Sequence, residues 1–319
     1  QGIAAASGVS AIAEREKMFG RSILFSVLPE TQALYGFLIA VLLMVGGGLL
    51  GGVQIGITTP LGIIAIGASL AVGLAGVSAI GQGMAAGSGI SSLLQRDQMF
   101  GKSIIFSIIP ETQALMGFLI AILIMIGSGL MGGIKAALGM SHGFIAIGAG
   151  LAIGLAAISA FGQGFVVSSG IAATTKDNKN FGKSLLFSVL PQTQSLYGFL
   201  IAILILVGGG IIGAFKPDIG LPVGLVAIGA GIAVGLGAVS AVGQGLVAAS
   251  SASVVSEDEK LFGKSILFSV LPETQALYGF LVAILLIASG GLLGAATNQL
   301  TIPIGLVAIG AGLSIGIAC

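Results

Sequence analysis

Charged residues are scarce in this sequence. Asp, Glu, Lys and Arg make up 7% of the 319 residues, whereas a typical soluble domain contains about 25%. Twelve basic and eleven acidic side chains cannot cover the surface of a soluble globule of this size. The shortage argues against a soluble enzyme, a nucleic-acid-binding protein and a disordered protein.

Cysteine and histidine each occur once. The single cysteine, Cys319, permits no internal disulfide. The single histidine, His142, makes no metal site and is predicted to be a loop residue beside a membrane boundary. The run Gly148-Ala149-Gly150 is not interpreted as a nucleotide-binding loop, because no strand precedes it and the third glycine is misplaced. No cofactor and no ATP site are expected in this chain.

Apolar residues dominate what is present. They form 56% of the sequence, and the mean hydropathy is +1.15. Several apolar stretches far exceed the roughly 18 residues that mark a membrane span. The alternation of polar and apolar residues that is typical of a membrane barrel is absent from the sequence. Because backbone groups in lipid must be satisfied internally, the sequence predicts transmembrane helices.

A repeat of 81 residues organises the chain. The motif L/I-P-E/Q-T-Q recurs without gaps, with its prolines at Pro29, Pro110, Pro191 and Pro272. The dipeptide Gln-Gly recurs at the same interval, at Gln1, Gln82, Gln163 and Gln244. Four copies in register are a highly specific signal of tandem structural units.

Each repeat contains two long apolar segments that predict a helical hairpin. In the second copy the first segment, about 61–94, is rich in Gly and Ala, and the second, about 100–133, is rich in Leu, Ile and Phe. Small residues let membrane helices approach closely, so we expect the first type on a crowded inner wall and the second type outside it. The predicted fold is an all-α membrane protein of tandem transmembrane hairpins that forms part of a two-layered ring. The predicted units are 1–60, 61–141, 142–221, 222–302 and the truncated segment 303–319.

Most charges lie in one set of predicted loops. Ten of the twelve basic residues are found there, namely Arg15, Lys17, Arg21, Arg96, Lys102, Lys176, Lys179, Lys183, Lys260 and Lys264. The other side carries Lys135 and Lys216 with Asp218. The excess of Lys and Arg places the first set in the cytoplasm. These loops are also the surface that a soluble partner would contact.

Both chain ends fall inside predicted helices. Gln1 aligns with Gln82, and Cys319 aligns with Ala157. A free end within the hydrocarbon would leave backbone groups unpaired. We therefore expect the sequence to be a segment of a longer repeated polypeptide.

Three carboxylates lie within the lipid-spanning segments, at Glu30, Glu111 and Glu273, and the remaining copy has Gln192. A charged side chain at the bilayer centre costs roughly 2.5–3.5 kcal/mol on insertion scales. Such residues usually mark an ion or proton pathway. The three equivalent acids therefore predict the ion-carrying residues of a transport protein.

A polar stripe accompanies each acid on the same helix. Leu28, Thr31, Gln32 and Tyr35 follow an i, i+3, i+4, i+7 spacing and share one helix face. Glu30 lies about 200° around the helix from Leu28. The stripe of one copy is therefore expected to meet the acid of a neighbouring copy.

Two departures from the repeat indicate the direction of this pairing. Met116 replaces the tyrosine of the second copy, and Gln192 replaces the acid of the third. If the stripe of one copy serves the acid of the next, both losses fall in one site. The glutamine of each inner helix is also expected to join a site, because a buried amide must be paired.

The sequence contains the motif L-P-E-T-Q-A-L-Y-G-F, with a G-Q-G helix upstream in each hairpin. This combination resembles the proteolipid of V-type and archaeal A-type rotary ATPases. That proteolipid is called subunit c or K, and it forms the rotor of those enzymes. The resemblance covers the whole chain. It implies a non-catalytic, ion-translocating ring of hairpins, coupled to ATP hydrolysis or synthesis in a soluble head. The implied partners are other copies of the chain or repeat, a stator membrane subunit, a central-stalk subunit at the charged loops, and lipid. The implied location is the cell membrane of an archaeon or bacterium.

The resemblance also implies the residues of each ion site. In sodium-binding members the acid acts with an inner-helix glutamine and with a leucine carbonyl, threonine and glutamine of the preceding outer helix, while a tyrosine bonds the acid. One implied site comprises Glu111, Gln82, Leu28, Thr31, Gln32 and Tyr35. Another comprises Glu273, Gln244, Leu190, Thr193, Gln194 and Tyr197.

The remaining positions are incomplete or degenerate. Glu30 and Gln1 need a stripe from a preceding copy. A following copy would receive the stripe Leu271, Thr274, Gln275 and Tyr278. The acid-free site is expected to comprise Gln192, Gln163, Ile109, Thr112, Gln113 and Met116.

Recurring neutral oxygens favour Na⁺ as the transported ion, because hard cations prefer oxygen ligands. H⁺ is the alternative. A secondary transporter or channel built from repeats is a competing interpretation, but such transporters usually have inverted repeats and broken helices. A purely structural membrane pore would leave three buried acids unexplained.

Overall fold

The computed structural model describes residues 1–51, 56–133, 137–217, 219–294 and 299–319. Lys135 and Asp218, two of the charges expected on the less charged side, lie outside the described residues. Within those ranges the chain is helical and contains no β-strand.

Nine helices follow one another along the described ranges. Seven are long and apolar enough to cross a membrane: α2 (Glu16–Gly46), α3 (Thr59–Gln95), α4 (Asp97–Ser128), α5 (Met140–Lys176), α6 (Asn178–Gly208), α7 (Leu221–Glu257) and α8 (Glu259–Ser289). Two shorter apolar helices are α1 (Gly2–Glu14) and α9 (Ile302–Ala318). The prediction of tandem transmembrane hairpins is confirmed, and the chain is an integral membrane protein.

Proline and glycine set the ends of these helices. Pro60 and Pro222 lie in the first turns of α3 and α7, where a missing N–H costs no helical hydrogen bond. Gly129 follows α4 with a φ of 84°. This left-handed conformation is strained for a residue with a side chain, so glycine ends the helix there.

The helices form two layers. The Gly-rich helices α1, α3, α5, α7 and α9 pack side by side in chain order, and we call them the inner helices. The helices α2, α4, α6 and α8 each pack mainly on the inner helix of their own repeat, and we call them the outer helices. Backbones of adjacent inner helices touch, because a Cβ added at Gly150 would overlap the Gly67 carbonyl. This close approach explains the glycine content.

Bulkier side chains fill the space between the layers. Ile39, Ile120 and Ile201 come from successive outer helices and are buried in one cluster with Ile64 and Ile145 of the inner helices. These positions recur with the repeat, so one apolar core runs along the row of hairpins.

Charged residues join neighbouring repeats at the loops between inner and outer helices. Arg21 Nη1 lies 2.9 Å from Asp97 Oδ1. The equivalent residues one and two repeats later pair in the same way, as Lys102 with Asn178 and Lys183 with Glu259. Exposed pairs of this kind contribute about 0–1 kcal/mol each, but their recurrence shows that adjacent repeats keep one register.

Asp177, in one of these loops, caps a short 3₁₀ turn (Asn178–Asn180). Its carboxylate accepts a hydrogen bond from the Lys179 backbone N–H at 3.1 Å. Because this bond stabilises the charged form, the pKa of Asp177 lies below its usual value.

His142 is not a loop residue, and that prediction was wrong. It lies in the first turn of α5 and is fully buried. Its Nδ1 accepts from the Gly139 N–H at 3.1 Å, so Nε2 carries the proton and donates to the Lys216 carbonyl at 3.0 Å. The ring also stacks on Phe215 with centroids 5.6 Å apart. The helix starts earlier than the hydropathy indicated, and the segment that follows the outer helix α6 of the same hairpin covers the side chain.

Candidate functional site

Each outer helix tightens at its proline-acid motif. Residues Leu28–Glu30 and Ile109–Glu111 form single 3₁₀ turns centred on a proline. Proline has no N–H to continue the α-helical ladder, and the shorter i→i+3 pattern replaces it. The N–H of Thr31 then bonds to the Leu28 carbonyl. The tightening brings a carbonyl, a hydroxyl and an acid to one level of the helix.

Glu111 lies at the contact between the first and second hairpins. The Tyr35 hydroxyl donates to Glu111 Oε1 at 2.6 Å, across 76 residues of sequence. Gln82 of the inner helix α3 is fully buried and donates through Nε2 to Glu111 Oε2 at 3.1 Å. The stripe of one copy therefore meets the acid of the next, in the direction that Met116 and Gln192 indicated.

Gln82 is itself held by the stripe. Gln32 Nε2 donates to Gln82 Oε1 at 2.6 Å. Thr31 Oγ1 lies 3.3 Å from Gln32 Oε1 and 3.1 Å from the Leu28 carbonyl. These donors form a chain from the hydroxyl through two amides to the carboxylate.

The same arrangement recurs two repeats later at Glu273. Tyr197 donates to Glu273 Oε1 at 2.6 Å, and Gln244 Nε2 lies 3.2 Å from Glu273 Oε2. Gln194 Nε2 donates to Gln244 Oε1 at 3.0 Å. Thr193 donates to the Leu190 carbonyl at 2.8 Å. The two acids therefore have matching partners, drawn from three helices in each case.

The interface between these two sites lacks the acid and is satisfied differently. Gln163 Nε2 donates to the Ser188 carbonyl at 2.8 Å and lies 3.5 Å from Gln192 Oε1. Gln113 Nε2 donates to Gln163 Oε1 at 2.9 Å. Thr112 retains its bond to the Ile109 carbonyl at 2.8 Å. The glutamine that would face a carboxylate has turned to a backbone oxygen, and Met116 offers no hydroxyl.

Two half-sites face outward at the ends of the row. At one end Gln1 Nε2 lies 3.2 Å from Glu30 Oε2, and both residues are exposed. At the other end Tyr278 is 60% exposed. Thr274 there still donates to the Leu271 carbonyl at 2.8 Å, and the Gln275 carbonyl accepts from Cys319 Sγ. Among the described residues, Glu30 meets no stripe, and the stripe that contains Thr274 and Tyr278 meets no acid.

The chemistry of these groups fits a monovalent cation. The described residues contain no cluster of three or more His, Cys, Asp or Glu that would hold a multivalent metal. Amide and hydroxyl oxygens surround a single carboxylate, and a carbonyl oxygen that accepts one hydrogen bond keeps a second lone pair. Such a site is able to bind a hard cation of one charge and release it when the carboxylate is protonated.

Ser240 is a site residue that the motif spacing alone did not predict. Its hydroxyl donates to Gln194 Oε1 at 2.9 Å. It recurs as Ser159 and Ser78 at the same 81-residue interval, and that recurrence is the sequence signal for it. A second residue, Ser195, stands beside the missing acid and donates to the Gln192 carbonyl at 2.8 Å.

Comparisons with known proteins give a consistent result. The profile of the family described as the C subunit of ATP synthase matches residues 1–43, 66–124, 147–205 and 228–286. The K subunit of the A-type ATP synthase of Methanocaldococcus jannaschii is 43% identical over 229 residues, which cover 71% of this chain and 96% of that protein. The K subunit of the V-type sodium ATPase of Enterococcus hirae is 33% identical over 130 residues, which cover 40% of this chain and 80% of that protein.

Proposed function

Because this chain belongs to the family of ATP synthase C subunits and is a rotor subunit of an A/V-type ATP synthase, we propose that it carries Na⁺ on its intramembrane glutamates. Each glutamate releases its ion where the ring contacts the stator membrane subunit and binds another ion after the ring has rotated. The alternative cargo for the same rotor is H⁺.

The observation that carries the proposal is the set of neutral oxygens beside each acid. At Glu111 the amide oxygens of Gln32 and Gln82, the Thr31 hydroxyl and the Leu28 carbonyl belong to one hydrogen-bonded chain. A carboxylate that carried protons alone would not require this costly burial of amides. The similarity to a subunit of a sodium ATPase supports the same ion.

Glu111, Gln82, Leu28, Thr31, Gln32 and Tyr35 form the first proposed site. The second comprises Glu273, Gln244, Leu190, Thr193, Gln194 and Tyr197. The tyrosines hold the acids, and the other neutral residues supply oxygens. The residues around Gln192 and Gln163 form a degenerate interface that carries no ion.

A rotor subunit of this type implies a ring with other subunits. We propose that the outer helices pass a stator membrane subunit, because the acids lie on those helices. We also propose that the loops that bear Arg21, Lys102 and Lys183 contact a central stalk on the cytoplasmic side, since these loops carry most of the charge.

The ion is tested by carbodiimide labelling, which modifies protonated carboxyl groups. Purified rings are labelled near neutral pH with increasing NaCl, at constant ionic strength maintained with choline chloride, and Glu111 and Glu273 are followed by peptide mass spectrometry. We expect millimolar Na⁺ to slow labelling at both acids. Labelling that depends on pH and does not respond to Na⁺ would show that the ring carries protons.

A further inference from the structure

Ser240 stands at the head of the hydrogen-bond chain that ends at Glu273. Its hydroxyl shares its proton between Gln194 Oε1 and the Gly237 carbonyl, each 2.9 Å away. Gln194 donates to Gln244, and Gln244 donates to Glu273. Every amide in this chain is oriented with its N–H toward the acid. The serine is therefore linked to the carboxylate through two amide side chains.

The equivalent serines in the other copies are buried but differently engaged. Ser78 and Ser159 are both fully buried, and neither hydroxyl has a hydrogen-bond partner among the described residues. At the Glu111 site Thr31 Oγ1 lies 3.1 Å from the Leu28 carbonyl and at the longer distance of 3.3 Å from the Gln32 amide oxygen. A buried hydroxyl without a partner is costly, so Ser78 is a donor in need of an acceptor beside the site.

All three serines follow a tightened turn of the inner helix. Val77 N bonds to the Leu74 carbonyl and Ile158 N to the Leu155 carbonyl, with i→i+3 spacing. A short 3₁₀ turn (Ala238–Ser240) replaces the α-helix at the same place in α7. Short 3₁₀ stretches inside a helix often mark functional positions, and here Ser240 reaches Gln194 of the outer helix of the preceding repeat.

We propose that Ser240 and Ser78 are positioning residues for the cation sites at Glu273 and Glu111. Ser240 donates to one lone pair of the Gln194 amide oxygen and leaves the other lone pair for the ion. Ser78 has no partner in the part of the chain that the structure describes, and we expect it to make the equivalent bond to Gln32 when the cation is bound. In the Glu273 site Thr193 is bonded to the Leu190 carbonyl, so its oxygen remains beside the cation. The two sites differ in the hydroxyl that approaches the stripe glutamine, which is Ser240 at 2.9 Å in one and Thr31 at 3.3 Å in the other.

The inference rests on the proposed Na⁺ function, and it is tested by substitution in assembled rings. The NaCl concentration that halves carbodiimide labelling is measured separately for Glu273 and Glu111. For Ser240→Ala we expect it to rise about two- to tenfold at Glu273, the effect of one net hydrogen bond, with no change at Glu111. For Ser78→Ala the shift should appear at Glu111 and be absent at Glu273.

Ser159→Ala is the matched control, because Ser159 is equally buried but faces the interface that has no acid. It should leave both acids unchanged. Ser240→Cys keeps the size of the side chain and offers only a weak donor, so it should resemble Ser240→Ala more than the unaltered protein.

Three results would overturn the role of the serine while leaving Na⁺ transport intact. They are an unchanged half-protecting concentration at Glu273 in Ser240→Ala, full recovery in Ser240→Cys, and an equal shift at both acids. If Na⁺ protects neither acid in the unaltered protein, the Na⁺ proposal fails and the positioning role fails with it.

Discussion

The carboxylates of Glu111 and Glu273, the two acids with a full set of partners, are held in the same way. At Glu111 one oxygen accepts the Tyr35 hydroxyl at 2.6 Å and the other accepts the Gln82 amide at 3.1 Å. Hydrogen bonds to a charged acceptor are shorter and stronger than neutral ones. Each oxygen keeps a lone pair after these bonds form. The carboxylate is thus fixed in position but still able to bind a cation or a proton.

Glu111→Gln should abolish ion binding at its own site and leave Glu273 functional. The carboxylate is the single charge of the site, and the acid-free interface separates the two acids. Titration of Na⁺ protection should show one site lost per chain. Loss of protection at Glu273 as well would mean that the sites are not independent.

The degenerate interface allows the reverse experiment. Gln192→Glu combined with Met116→Tyr restores the two missing groups, so we expect a further acid in the chain that Na⁺ protects. Gln192→Glu alone should be labelled by carbodiimide but require more Na⁺ for protection, because no tyrosine fixes it. Equal protection in the single and double variants would show that the tyrosine does not contribute.

At the scale of helices, contact between glycines determines the spacing of the inner layer. A Cβ at Gly231 would overlap the Gly148 carbonyl of the neighbouring inner helix, whereas a Cβ at Gly243, in the same helix, would have no neighbour within 4 Å. The sites depend on this spacing, since they span adjacent repeats.

Gly231→Ala should therefore destabilise the protein by about 1–3 kcal/mol, as overpacking usually does. Gly243→Ala is the control and should be neutral or slightly stabilising, because alanine favours the helix more than glycine does. Thermal unfolding of the detergent-solubilised protein compares the two. A similar midpoint for both variants would contradict a contact role for Gly231.

At the scale of the whole molecule, the two ends of the row are complementary. In the described part of the chain Glu30 contacts no stripe, and Tyr278 is exposed and bonds to no acid. The charged loops show the same relation, because Arg21 pairs with Asp97 of the next repeat. By the 81-residue repeat, Lys264 is expected to pair with the residue equivalent to Asp97 in the repeat that packs next to it, which is Glu16 where that repeat begins a further copy of this chain.

Cross-linking tests this junction. In rings assembled from this 319-residue chain alone, with Cys319→Ser as background, Lys264→Cys with Glu16→Cys should give covalent multimers on treatment with a short bis-maleimide. The matched control, Arg21→Cys with Asp97→Cys, should cross-link within one chain and run as a monomer. Efficient cross-linking of the control without multimers from the first pair would rule out the proposed junction.

The sequence by itself determined the repeat, the helical hairpins, the two layers and the contact of each stripe with the acid of the next copy. These features follow from residue spacing along single helices. An 81-residue interval fixes which positions are equivalent, and about 100° per residue fixes which side chains share a face. The Tyr35–Glu111 contact could be anticipated from two replacements in adjacent copies. Met116 replaces the tyrosine and Gln192 replaces the acid, so both losses fall in one site.

Only the tertiary structure decided which donor occupies each lone pair. Thr31 and Ser240 carry the same type of hydroxyl, yet one holds its glutamine at 3.3 Å and the other at 2.9 Å. The burial of His142 likewise depends on Lys216, which lies 74 residues later in the same hairpin and which no local pattern describes. The strength of a hydrogen bond changes when the donor–acceptor distance changes by tenths of an ångström. The packing of three helices against one another sets those distances.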